Sequence, residues 1–263
     1  MGELMIKGEL KRDGGYAVPY AAEISGGEKI CVIAAHGFAS SKESPTVKML
    51  MEKLPEHGIA VMAFDFPAHG ESPVNGDYLT VKNCVSDFAC IEKHVRELLP
   101  EAEIYRFGSS FGAYITMIYM MKHEIRNSRA FLRSAAVNMS EYFLELTDEE
   151  RTDLNEKGYF VLEDEVRPVK ITAEFINDLS AHNIMKDFNP GGSQFRMIHG
   201  SSDEDIAYEK ARAFAEKYCI DLVTVEGGDH RLSIPGAPEC VLREALDFFG
   251  KGQGAIGKGQ GAK

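Results

Sequence analysis

Residues 105–116 read YRFGSSFGAYIT, from Tyr105 to Thr116. The stretch holds a G-x-S-x-G pattern, Gly108 to Gly112, centred on Ser110. A Gly/Ser pentad is a weak signal by itself, because short runs of this kind arise often by chance. Its surroundings decide what it means. Glu103–Phe107 has the texture of a buried strand, and Phe111–His123 that of an apolar helix. Strand, sharp turn and helix in that order push the central hydroxyl out at the top of a sheet. Gly108 and Gly112 leave room for a strained turn and close packing. The helix N-terminus beneath Ser110 favours developing negative charge.

Working outward, strands and helices alternate. Met5–Lys11 and Tyr16–Ile24 flank Asp13-Gly14-Gly15, a hairpin turn signal. Lys29–Ala35 (KICVIAA) and Ile59–Phe66 (IAVMAFDF) are near-continuous apolar runs, as expected of strands covered on both faces. Helical spacing marks Ser44–His57, stopped by Gly58, and Thr80–Leu99, stopped by Pro100. Ala130–Val137 reads as the next strand. After a break come strand Phe195–His199, helix Ile206–Tyr218, strand Ile220–Val225 and helix Pro238–Phe249. The pattern predicts an α/β fold: a mostly parallel sheet, an antiparallel N-terminal hairpin, and helices on both faces. Residues 1–137 and 193–249 form its core. Residues 138–192 are more charged and less regular. They include TDEER, a short apolar piece at Tyr159–Leu162, the acidic Glu163–Glu165 and a helical stretch near Thr172–Leu179. An insertion at this position is placed to act as a lid. The Gly-rich tail 250–263 repeats GKGQGA, has no apolar face and is expected to be disordered.

The net charge of −12, from 29 basic and 41 acidic side chains, disfavours nucleic acid and anionic lipid as partners. No run of about 18 apolar residues suggests a membrane span, and the N-terminus lacks a signal peptide's apolar core. The five cysteines are scattered without a C-x-x-C pair, which reads as free thiols in a reducing cytoplasm. HExxH and Cys/His ligand spacings are missing, as are a P-loop and a G-x-G-x-x-G after a strand. Neither metal nor cofactor is therefore expected. A homodimer is left open.

A serine hydroxyl is a weak nucleophile and needs a base. Of eight histidines, His230 stands out. It lies in Glu226–His230 (EGGDH), the loop after the last strand, on the same edge of the sheet as Ser110. His57, His94 and His123 fall in or at the ends of helices. His182 lies in the insertion and is a weaker alternative. His36, His69 and His199 precede glycines at strand ends, where they shape loops. The base needs an orienting carboxylate. Asp203, in His199–Ile206 (HGSSDEDI), lies on the right edge. Asp205 is an alternative that could instead cap the following helix. Asp229 adjoins His230, and neighbouring loop side chains diverge. An oxyanion hole requires two backbone N–H groups. Phe111 supplies one, and Phe38 in His36-Gly37-Phe38 the other. The Phe38 ring either lines an acyl pocket or packs under the insertion.

With these residues in place, the chain resembles the α/β-hydrolases over residues 15–249. The resemblance is carried by HGF (36–38), FDFPAHGES (64–72), GSSFGA (108–113), HGSSDEDI (199–206) and GGDH (227–230). The order Ser110, Asp203, His230 is that of this fold. The second motif usually carries Arg where this chain has Pro67. The insertion is similar to that of cytoplasmic cinnamoyl (feruloyl) esterases and related short-chain acyl esterases. The resemblance implies a serine esterase acting on small-molecule esters. Tyr142, Phe143, Tyr159, Phe160 and Phe175 of the insertion suit an apolar or aryl acyl group. A peptidase or amidase, an acyltransferase and a non-catalytic binding module are the alternatives.

Overall fold

The computed structural model describes residues 5–12, 15–163 and 167–250. The hairpin turn at residues 13 and 14, most of the acidic Glu163–Glu165 run and the tail beyond residue 250 lie outside the described residues.

Two antiparallel strands, β1 (Met5–Lys11) and β2 (Ala17–Glu23), pair from Met5 opposite Glu23 to Lys11 opposite Ala17. The central strands follow: β3 (Ile30–Ala35), β4 (Ile59–Phe64), β5 (Glu103–Ser109) and β6 (Arg129–Arg133). In chain order, β7 (Tyr159–Leu162) and β8 (Val169–Thr172) come next, then β9 (Gln194–Gly200) and β10 (Asp221–Val225). Eight strands form one sheet in the order β1-β2-β4-β3-β5-β6-β9-β10. β2 meets β4 antiparallel, and every pairing from β4 to β10 is parallel.

The continuous apolar runs have a direct cause. Cys31, Ile33 and Ala35 of β3 pack into one core, while Ile30, Val32 and Ala34 pack into a second on the opposite face. The first core is covered by α2 (Val81–Leu98), α3 (Phe111–Lys122) and α7 (Tyr208–Tyr218). The second is covered by α1 (Pro45–Lys53) and α8 (Ala237–Gly250). Side chains alternate along a strand, so burial on both faces demands apolar residues at every position. Local signals set the helix ends. Thr80 Oγ1 accepts the Asn83 N–H at 3.0 Å at the start of α2. After α1 a short 3₁₀ turn closes at Gly58, whose φ of 70° is left-handed.

The strand expected over Ala130–Val137 is shorter than its apolar pattern. It stops at Arg133 because Ser134 turns the chain at φ 46°, its amide bonding the Ile198 carbonyl at 2.8 Å. Ala135, Ala136 and Val137 are nevertheless buried, at the carboxyl end of the sheet.

Between β6 and β9 the chain builds α4 (Asp148–Lys157), the antiparallel β7–β8 pair, α5 (Ala173–Ser180) and the short α6 (Ile184–Asp187). α4 buries none of its residues, so its acidic first turn is a solvated face. Polar bonds fasten this insertion to the body. Asp178 accepts the Val81 amide at 2.7 Å, and the Tyr114 hydroxyl donates to the His182 carbonyl at 2.9 Å. Arg167 donates to the Ser72 carbonyl at 2.9 Å, and Lys170 pairs with Asp77 at 2.6 Å.

Candidate active site

The loops leaving the carboxyl ends of β3, β5, β9 and β10 gather at one rim of the sheet, beside the point where strand order reverses. Ser110 stands between β5 and α3 at φ 52°, ψ −115°. A non-glycine residue held there stores strain, about 1–3 kcal/mol, and persists only where its surroundings over-determine it. They do so here. The Ser110 amide donates to the Arg133 carbonyl at 2.9 Å, and the Ser110 carbonyl accepts the Ala113 amide at 3.0 Å. The flanking glycines are obligatory. A Cβ on Gly108 would lie 2.5 Å from Ala113 Cα, and one on Gly112 would lie 2.3 Å from the Ala35 carbonyl oxygen.

The structure brings the three separated side chains together. His230 Nε2 lies 3.0 Å from Ser110 Oγ, placed to accept its proton. His230 Nδ1 donates to Asp203 Oδ2 at 2.8 Å. Asp203 is in turn held from several sides. Its Oδ1 accepts the amides of Asp205 at 3.0 Å and Ile206 at 2.8 Å. Its Oδ2 also lies 3.0 Å from His199 Nε2, which is 2.9 Å from the Ile206 carbonyl. Burial by itself would push the Asp203 carboxyl up. The bonds from His199, His230 and the Ile206 amide outweigh burial and hold it well below the usual carboxylate range.

The rival candidates sit elsewhere. Asp205 does not cap α7, which starts at Tyr208 behind Ala207 without a side-chain cap. Asp229 turns to Ser233, accepting its amide and hydroxyl at 2.7 Å each. His182 Nδ1 faces the Asp178 carbonyl at 2.8 Å. His199, near the end of β9, ties down the loop that follows, and its contact with Asp203 is what sequence reading missed. The four-residue spacing from strand end to loop was the available signal, but it does not reveal which side chain turns inward.

Gly37 lies against Ser110. A Cβ on Gly37 would be 3.5 Å from Ser110 Cβ, ordinary contact. Among the described residues no hydrogen bond occupies the Phe38 or Phe111 amide. The Phe38 ring packs edge-on to Phe111 at 5.5 Å and Phe143 at 5.9 Å, and stacks on Phe175 at 6.0 Å. It therefore bridges the core and the insertion.

Buried groups behind these rings keep the loop in place. His36 Nδ1 donates to the Gly37 carbonyl at 2.7 Å, and its Nε2 accepts the Phe66 amide at 3.2 Å. Burial lowers the His36 pKa and fixes the neutral ring. His69 donates to the Pro67 carbonyl at 2.8 Å, and burial brings its pKa down to about 3. Neither ring is set to take a proton near neutrality. Lys42 Nζ pairs with Asp65 and Glu71, both at 2.6 Å, tying the loop after β3 to the loop after β4. Among the described residues no group of three His, Cys, Asp or Glu side chains is arranged to hold a metal ion. No helix there is long and apolar enough to cross a membrane. None of the five cysteines forms a disulfide.

A mostly parallel sheet with a serine on the strained turn after its central strand defines an α/β-hydrolase fold. The chain belongs to the hydrolase family described as serine aminopeptidase, S33, whose model matches residues 27–171, more than half of it. Solved structures share the fold at low identity. A protein of Agrobacterium vitis S4 is 19% identical with a TM-score of 0.81, covering 95% of this chain and 100% of its own. Mouse alpha/beta hydrolase domain-containing protein 10 is 19% identical at TM-score 0.75, covering 94% and 99%. Est1E of Butyrivibrio proteoclasticus, solved with ferulic acid bound, is 20% identical at TM-score 0.76, covering 92% and 99%. No curated protein sequence matches the chain.

Proposed function

We propose that this hydrolase cleaves carboxylic esters by two-step acyl transfer. The observation that carries the reading is the continuous relay from Ser110 Oγ to His230 at 3.0 Å and on to Asp203 at 2.8 Å. Ser110 Oγ attacks the ester carbonyl while His230 Nε2 takes its proton. Asp203 holds the proton on Nδ1, which leaves Nε2 free to accept, and stabilises the imidazolium that forms. The Phe38 and Phe111 amides receive the oxyanion. His230 then protonates the departing alcohol, leaving an acyl ester on Ser110. Water, deprotonated by the same ring, attacks that ester, and the ring returns the proton to Ser110 Oγ as the acid departs.

Phe38, Phe111, Phe143 and Phe175 surround this rim, which supports small to medium apolar or aryl acyl groups as substrates. The neighbour with bound ferulic acid supports the aryl option. A second reading, an aminopeptidase or amidase, rests on the family's description. The triad serves either bond, since fold does not set the substrate. The residues 138–192 are assigned as a cap over the site, and five cysteines without a disulfide accord with a cytoplasmic location.

A fluorophosphonate probe tests the nucleophile. Wild type is expected to be labelled and Ser110→Ala not; a wild type that stays unlabelled sinks the catalytic reading in favour of a binding module. Rates on p-nitrophenyl esters, methyl ferulate and aminoacyl anilides then separate ester from amide chemistry. Faster turnover of the anilides overturns the ester assignment.

A further inference from the structure

Arg133 ends β6 with its guanidinium turned beneath the rim, 6% exposed. It grips two loops at once. One terminal nitrogen donates to Ser109 Oγ at 2.7 Å, the side chain just before the nucleophile. The other donates to the carbonyl of Arg231, the residue just after the base. Its own carbonyl accepts the Ser110 amide. We propose that Arg133 is a positioning residue that spans the nucleophile turn and the histidine loop and so sets the separation of Ser110 from His230. The inference rests on reading Ser110 as nucleophile and His230 as base.

The choice of side chain supports it. Burial opposes the guanidinium charge and lowers its pKa to about 10, while Asp229 and Asp203 favour the charge through space. Its direct partners are a neutral hydroxyl and a neutral carbonyl. Burying a cation against such partners is costly for stability, and apolar residues of similar volume often do better. What arginine adds is a rigid planar fork whose donors reach separate acceptors at a fixed spacing. Arg129 is a natural contrast, four residues earlier on the same strand. It donates to the Phe248 carbonyl at 2.9 Å and lies over the Tyr105 ring, fastening sheet to α8 rather than loop to loop. A misplacement of about 1 Å between reacting groups can cost about 100-fold in rate.

The test compares wild type with Arg133→Met, Arg133→Lys, Ser109→Ala and Arg129→Met, using p-nitrophenyl butyrate turnover, fluorophosphonate inactivation and Tm. Arg133→Met is expected to lower kcat about 100-fold with KM within about threefold, and to slow inactivation in parallel. Arg133→Lys keeps the charge but reaches one acceptor, recovering to about tenfold below wild type. Ser109→Ala, which removes one arm and keeps the charge, lowers kcat about fivefold. Arg129→Met lowers Tm and leaves kcat unchanged. A kcat for Arg133→Met within about threefold of wild type overturns the proposal. So does an equal loss in Arg129→Met. If Arg133→Met does not fold, an unchanged kcat in Ser109→Ala overturns it instead. An inert wild type strikes at the nucleophile reading. In that case a crystal structure of Arg133→Met or Ser109→Ala decides, and an unaltered Ser110–His230 distance defeats the positioning role.

Discussion

Asp203 at the carboxyl rim of the sheet and Asp87 within α2 are both buried side chains, yet their surroundings drive them apart. Asp203 accepts two backbone amides and faces two imidazoles. Asp87 meets the Tyr16 hydroxyl at 2.9 Å on each oxygen and the Arg12 guanidinium at 3.1 Å. For Asp203, hydrogen bonds overcome burial and the carboxyl is held down. For Asp87, burial wins over Arg12 and Tyr16, and the pKa rises to about 7. Depth alone does not decide whether an aspartate is charged; the number of N–H groups aimed at it does. The carboxylate so supplied is the one that faces His230.

The comparison breaks most visibly at Asp203→Asn. The side-chain oxygen can still accept the amides of Asp205 and Ile206, so folding should survive. The new NH₂ group faces His230 Nδ1 and forces the wrong tautomer. Ester turnover is expected to drop on the order of 10³-fold or more with little change in Tm, whereas Asp87→Asn keeps kcat within about twofold. Next in size is His199→Phe. It removes one N–H from Asp203 and keeps the ring volume, and kcat should fall about tenfold.

The third contrast is in pH. The folded Asp87 pKa of about 7 lies above the reference value of 3.8, so the folded chain holds the extra proton between those limits. Stability is complete below the lower value and is lost as pH rises through the upper one. Asp203 has the opposite sign: its contribution is present above the reference value and lost as pH falls below it. Thermal unfolding of wild type should therefore decline by about 4 °C between pH 5 and pH 8 relative to Asp87→Asn. A parallel pair of pH profiles would remove the Asp87 account. The smallest effect is expected at Asp205→Asn, with kcat within about twofold of wild type, since His230 is held by Asp203 and the start of α7 has no side-chain cap.

The sequence made the scaffold legible because burial on both faces leaves unbroken apolar runs at β3 and β4, and because the close approaches around the turn at Ser110 admit only glycine at 108 and 112, which marks the turn in the sequence. Asp203 and His230 could be placed because each follows a strand that ends at the same rim. Strand ends were less legible. Ala135–Val137 is apolar because it is buried, and hydrophobicity does not distinguish a buried strand from a buried bend. The cationic interior was not legible at all. Arg106, fully buried against Glu92 and Ser128, and Arg133, held by Ser109 and Arg231, look like surface charges until partners remote in the chain are brought to them.

Gly112 rests directly on the backbone oxygens of Ala35 and His36, with no side chain between. The helix that follows Ser110 and the segment that leads to Phe38 consequently pack backbone against backbone, with no side-chain layer to absorb a substitution. Any side chain larger than hydrogen at position 112 has to push those two segments apart.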